Sequence, residues 1–186
     1  GLAITQNLVQ MMNGTIQVES CLDQGTRFRV TIFLKQAEQE NTDFRSEKEK
    51  TGEPFDPDTR ILLVEDNEIN REIAQELLQT AGLTVTSAVN GKEAVDLFSS
   101  QPPGTYSLIL MDIQMPVMDG YEAAKAIRRL GEAGQRPDAA KIPIIALTAN
   151  AFADDVYRAR QAGMNEHVSK PLDVDRLLIT LHHYLD

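Results

Sequence analysis

Cysteine is almost missing: Cys21 stands alone among 186 residues, so neither an intrachain disulfide nor a cysteine-rich zinc site can form. That suits a reducing compartment. Long apolar runs are missing too, since no stretch approaches the roughly 20 residues that a bilayer-spanning helix needs. Nor does a basic segment followed by an apolar one mark a secretory leader. Basic side chains are outnumbered, 18 against 28 acidic, for a formal charge of −10; no basic patch of convincing size stands out, and direct contact with nucleic acid is not expected. The chain opens on Gly1 rather than Met. It is therefore expected to be a piece of a longer protein whose remainder carries any membrane anchor, this piece itself touching no membrane.

What is present is a real core. With 42% hydrophobic residues the chain supports one ordinary domain and a smaller piece, or two small domains. In residues 1–35, Leu2, Ile4, Leu8, Val9 and Met12 recur at near-helical spacing. Two alternating stretches follow, with Ile16 and Val18 on one face of the first and Phe28, Val30, Ile32 and Leu34 on one face of the second. A helix and two strands cannot cover their own apolar face. Residues 36–59 are charged, poor in apolar groups and broken by Pro54 and Pro57, which reads as a linker.

From Arg60 onward a strand-then-helix pattern repeats to the end of the chain. The strands fall at RILLVE, TVTSAV, YSLILMD, PIIALTA and EHVSK, and the apolar stripes between them include Ile69, Ile73, Leu77 and Leu78 in the first helix. The later stripes run through Ala94 and Phe98, Ala124 and Ile127, Phe152 to Ala162, and Val174 to Leu185. Such alternation predicts an α/β fold, a mostly parallel sheet covered on both faces, with a switch point where strand order reverses.

Carboxylates collect at the predicted strand ends. Glu65 and Asp66 end the first strand and Asp112 ends the third; if those strands are neighbours, three like charges crowd at one edge of the sheet. A hard cation, Mg²⁺ or Mn²⁺, relieves such crowding. Thr148 ends the fourth strand and Lys170 the fifth, offering a hydroxyl and an ammonium to an anion's oxygens. Blander roles exist for each: Asp66 as a helix cap, Thr148 as a cap of the next turn, Lys170 as a simple counter-ion. Together they point to phosphoryl chemistry, in which Asp112 attacks phosphorus to form an acyl phosphate. Glu65 and Asp66 would hold the metal, Lys170 would neutralise charge, and Thr148 would sense the new oxygens.

The motifs LLVEDN (62–67), LILMDIQMPVMDG (108–120), IIALTA (144–149) and VSKP (168–171) make residues 60–186 resemble the receiver domain of two-component response regulators. The resemblance implies a flavodoxin-like, doubly wound five-stranded parallel sheet in the order 2-1-3-4-5. It also implies Asp112 as phosphoacceptor, Mg²⁺ on Glu65, Asp66, Asp112 and the backbone carbonyl of Gln114, and Thr148 and Lys170 on the phosphoryl group. In that family an aromatic three residues before the lysine turns inward with Thr148 as the switch. His167, smaller and polar, holds that position here. Gln114 and Asn150 fall where the family tunes the lifetime of the acyl phosphate.

Residues 1–35 resemble the C-terminal end of a histidine kinase ATP-binding domain, a small α+β fragment without the asparagine-bearing helix or the Asp-x-Gly-x-Gly segment, so ATP binding is not expected. The two halves together imply a hybrid sensor histidine kinase: a cytoplasmic portion of a protein that is itself a kinase, this piece being a phosphoacceptor with slow self-dephosphorylation. Its expected partners are a histidine-bearing kinase dimerisation domain or a phosphotransfer domain. His182 and His183 are expected to be structural or solvent-facing. Two other readings are a phosphorylation-independent binding module that regulates the attached kinase, and a small-molecule phosphatase. Against the latter, Gln114 stands where its general acid would be.

Overall fold

A computed structural model describes residues 9, 14–21, 25–31, 55, 56, 58–149 and 153–185. Within them the chain divides into two compact units, Gly1–Thr42 and Asp43–Asp186. The helix expected over Leu2 to Met12 lies outside the described residues except for Val9, as do Ile32, Leu34, Pro54, Pro57, Asn150 and Phe152.

In the first unit, strands β1 (Thr15–Cys21) and β2 (Gly25–Thr31) pair antiparallel, with Ile16 opposite Val30 and Val18 opposite Phe28. The expected alternation is there, and it leaves Val18, Phe28 and Val30 exposed on one face. Alone, a two-stranded ribbon of this kind is marginally stable.

The second unit alternates strands and helices. Strands β3 (Arg60–Val64), β4 (Thr84–Ala88), β5 (Leu108–Asp112), β6 (Ile144–Thr148) and β7 (Glu166–Ser169) form one sheet in the order β4-β3-β5-β6-β7, every neighbouring pair parallel. Counted within this unit, that is the order 2-1-3-4-5. Helices α1 (Glu68–Thr80), α2 (Gly91–Ser100), α3 (Gly120–Glu132), α4 (Ala153–Gln161) and α5 (Val174–Leu185) connect and follow the strands.

Period-two alternation along buried strands decides which helix covers which face. Ile61, Leu63, Leu108, Leu110, Ile145 and Leu147 point to the side of Ala74 and Leu78 on α1 and Leu177 and Leu181 on α5. Leu62, Val64, Ile109, Met111, Ile144 and Ala146 point to the side of Phe98 on α2, Ile127 on α3 and Ala159 on α4. Helix starts are fixed by caps: Asn67 Oδ1 accepts the Asn70 N–H, Asn90 Oδ1 that of Glu93, and Asp119 Oδ1 that of Glu122. The cap of α1 is thus Asn67, which removes the blander role for Asp66.

The expected stripe on α1 needs correction. Ala74 and Leu78 are buried, but Ile69 is 67% and Ile73 51% exposed, because only a narrow face of α1 meets the sheet. Phe55, inside the charged segment, is buried and stacks on the His182 ring at 4.1 Å between centroids. His182 is accordingly a packed residue, whereas His183 meets the edge of Tyr184.

Between α3 and β6 a 3₁₀ turn, Pro137–Ala140, carries a half-buried ion pair at its start: Arg136 donates to both oxygens of Asp138 at 2.9 and 2.8 Å. These hydrogen bonds hold the Asp138 carboxyl down at about 2, against an ordinary 3.8. A carboxyl whose folded value lies below its unfolded one stabilises the fold above about pH 4, and that gain is lost as pH falls through about 2. After allowance for solvent screening, Asp138→Asn is expected to cost about 1–2 kcal/mol at neutral pH. Urea titrations should show the gap between wild type and variant closing below about pH 3; a gap independent of pH would refute the assignment.

Candidate functional site

The sheet reverses its strand order between β3 and β5, and ligands of open α/β folds bind at the carboxyl ends of such strands. Register puts the chemistry there. Val64 lies beside Met111 and Asp112 beside Leu147, so Glu65, Asp66, Asp112 and Thr148 all emerge at one edge. Together with Asn67, Asn70, Gln114, Tyr121, Asp155 and Lys170 they line a cavity of about 220 Å³.

Asp112 ends a strand in which every residue is buried, and the turn formers after it bring the chain back beneath it. Met118 N–H donates to the Pro116 carbonyl at 2.8 Å across Val117, whose φ of 70° is rare for a β-branched residue. Gly120 N–H then donates to the Ile113 carbonyl at 2.9 Å. A Cβ on Gly120 would lie 2.2 Å from the Asp112 carbonyl oxygen, so only glycine allows α3 to start this close to the acid.

Glu65 is 2% and Asp112 6% exposed, and Asp66 is exposed. One carboxylate oxygen from each of the three can be found within 4.8 Å of the others. Lys170 Nζ bridges two of them, donating to Glu65 Oε2 at 2.5 Å and Asp112 Oδ2 at 2.7 Å. Asp112 Oδ1 accepts the Gln114 N–H at 3.3 Å. Burial pushes the Asp112 carboxyl above its ordinary value; Lys170 pulls it back without cancelling the rise, and the Glu65 charge adds to it. For Lys170 burial opposes the charge, but bonds to Asp112 and Glu65 outweigh it and hold the ammonium above its ordinary value. The cluster remains richer in negative than in positive charge. A set of hard oxygen donors with excess negative charge fits a hard divalent cation.

Thr148 is buried at the rim of the same cavity. His167 is elsewhere: it lies on β7 with Nδ1 3.2 Å from Glu166 Oε1, in a groove shared with Arg176, His183 and Tyr184. The cavity also takes in residues beyond the site residues expected from the sequence, among them Asn67, Asn70, whose Nδ2 donates to Glu65 Oε1 at 3.2 Å, Tyr121 and Asp155. For Asn70 a signal existed, since it lies one helical turn after Glu65 and Asp66. Tyr121 falls at helical spacing with Ala124 and is hidden among apolar residues, and no local pattern marks Asp155.

Crowded carboxylates at the switch point of a 2-1-3-4-5 sheet, with an ammonium in hydrogen-bond reach, are the arrangement of a phosphoacceptor receiver. The chain belongs to the response regulator receiver domain family, which residues 61–182 match. Over its whole length it is 36% identical to the aerobic respiration control sensor protein ArcB of Escherichia coli K12, of which it spans 22%. Its fold is that of the receiver domain of sensor histidine kinase PA1611 from Pseudomonas aeruginosa, crystallised with a magnesium ion in the active-site cleft. The TM-score is 0.60 at 38% identity, covering 68% of this chain and 97% of that one. It also matches a co-crystal of the Saccharomyces cerevisiae histidine phosphotransfer protein Ypd1 and the receiver domain of Ssk1, with TM-score 0.62, 33% identity, and 69% and 90% of the two chains covered. No helix among the described residues is long and apolar enough to cross a membrane.

Proposed function

We propose that Asp112 takes a phosphoryl group from a partner's phosphohistidine and passes it to a phosphotransfer histidine. An oxygen of Asp112 attacks phosphorus, the O–P bond forms as the N–P bond breaks, and the imidazole nitrogen keeps the electron pair. The observation that carries this reading is the bridging of Glu65 and Asp112 by Lys170 within a cavity floored by carboxylates.

Glu65, Asp66, Asp112 and the Gln114 carbonyl would hold Mg²⁺, or Mn²⁺ in its place. When bound, the cation supplies neutralisation of charge on the transferring oxygens. Lys170, already charged and aimed at Asp112, would neutralise charge on the equatorial oxygens of the transferring group. Thr148 donates its hydroxyl to the acyl phosphate and so senses it. From there the register of β6 and β7, with Thr148 beside Ser169 and Ala146 beside His167, carries the change toward His167 as the switch residue.

The partner is a histidine-bearing helix of a kinase dimerisation domain or a phosphotransfer domain. Ile69 and Ile73, exposed on α1, would give such a helix an apolar ledge on the same helix whose Asn70 lines the cavity. We assign residues 60–186 to the receiver, 36–59 to a linker, and 1–35 to the end of a kinase ATP-binding domain; the alignment with the ArcB sensor protein runs through all three segments. The parent would then be a hybrid histidine kinase with this part in the cytoplasm. The test is transfer of labelled phosphate from a phosphorylated histidine phosphotransfer protein. Rapid, Mg²⁺-dependent labelling of wild type is expected; binding without transfer would instead favour a phosphorylation-independent module.

A further inference from the structure

Glu65 poses a mechanical problem. It is a long side chain at a position where a cation needs a carboxylate held still, and a glutamate has one more rotatable bond than an aspartate. Its burial removes water as a partner, so each oxygen must find one within the protein. Oε2 finds Lys170; Oε1 finds the Asn70 side-chain amide at 3.2 Å.

Asn70 is well placed to restrain it. It sits in the first turn of α1, where its own N–H is held by the Asn67 cap at 3.1 Å. Its neighbour Arg71 donates from Nη1 to the Glu65 carbonyl at 2.9 Å and to the Asp66 carbonyl at 3.3 Å. Consecutive residues of one helix thus grip Glu65 by its side chain and by its main chain. The chemistry of the amide matters as well: it is neutral, so it orients the carboxylate without cancelling the charge, whereas a second cation there would compete with a metal.

We propose that Asn70 is a positioning residue, fixing the Glu65 carboxylate so that its free lone pairs face the cation site. This rests on the reading that Glu65 helps to hold Mg²⁺. Partners one step removed from a metal contribute about 10–100-fold to its affinity, and an exposed-edge amide belongs at the low end.

The test is calorimetric titration of the full chain with Mg²⁺ alone, for wild type, Asn70→Ala, Glu65→Asp and the double variant, with melting temperatures measured in chelator. Asn70→Ala is expected to weaken Mg²⁺ binding about 10-fold, the variant remaining folded in chelator at the temperature of the titration. Asn70→Ser, which also lacks the amide, should weaken it in the same direction. On the Glu65→Asp background the shorter acid no longer reaches the amide, so removing Asn70 should cost less than about twofold. An Asn70→Ala protein that binds Mg²⁺ as wild type does would overturn the proposal alone. So would equal losses on both backgrounds, which would mean that Asn70 acts without Glu65. A wild type that binds no Mg²⁺ would overturn both this proposal and the reading beneath it.

Discussion

Asp112→Asn is expected to abolish phosphoryl uptake while leaving the fold at least as stable as in wild type. The first half follows from nucleophilicity: an amide oxygen carries no charge to donate and cannot form the acyl phosphate, so uptake should fall by about a thousandfold or more, to the limit of detection. The second half follows from the crowding. Asp112 is buried next to Glu65, and burial raises its carboxyl above the ordinary value, which means that ionising it costs free energy in the folded state. Asparagine keeps the shape and an oxygen for the Gln114 N–H while removing one of the opposing charges. Urea unfolding in chelator, alongside a labelling assay, separates the two effects. A variant that loses uptake only because it unfolds would leave Asp112 without its assigned role.

Arg136→Leu is the second large effect, and it lies far from the chemistry. The guanidinium is 4% exposed, forms a bidentate pair with Asp138, donates to the Phe98 carbonyl and to the Gln101 carbonyl at 2.6 Å, and rests 4.1 Å from the centroid of the Phe98 ring. It ties the end of α2 to the 3₁₀ turn after α3. Leucine would leave a half-enclosed carboxylate and unmet carbonyls, a loss of about 3–5 kcal/mol for breaking a buried pair from one side. The melting temperature should drop by about 10 °C. Adding Asp138→Asn should recover part of the loss, since the orphaned charge is then gone; strict additivity would argue against a coupled pair. Phosphoryl uptake by the folded fraction should be unchanged.

The strands and the acid cluster were legible in the sequence because a parallel sheet buried on both faces writes itself as apolar runs, and the runs stop where the chemistry begins. LILMD ends on Asp112, and the turn formers after it, Pro116 and Gly120, mark the return of the chain beneath that acid. What periodicity could not supply was the width of each buried face. Ile69 and Ile73 fit the stripe of α1, yet α1 buries only Ala74 and Leu78 fully, leaving both isoleucines exposed. Long-range partners were equally silent: Arg136 meets Phe98 and Gln101 from more than thirty positions away, and nothing local distinguishes it from a surface arginine. Phe55 belongs here too, an aromatic in a charged segment whose stacking on His182 depends on how α5 packs. His167 was placed by resemblance, and its groove with Arg176 and His183 is separate from the acidic cavity.

The most direct test of the central claim is the intact mass of the wild-type chain after incubation with a small acyl-phosphate donor and Mg²⁺, with chelated and Asp112→Asn samples beside it. The account predicts a gain of one phosphoryl group in wild type that is lost in both controls. A folded wild type that gains none from this donor or from a phosphohistidine protein, or a gain that survives chelation or Asp112→Asn, would contradict it.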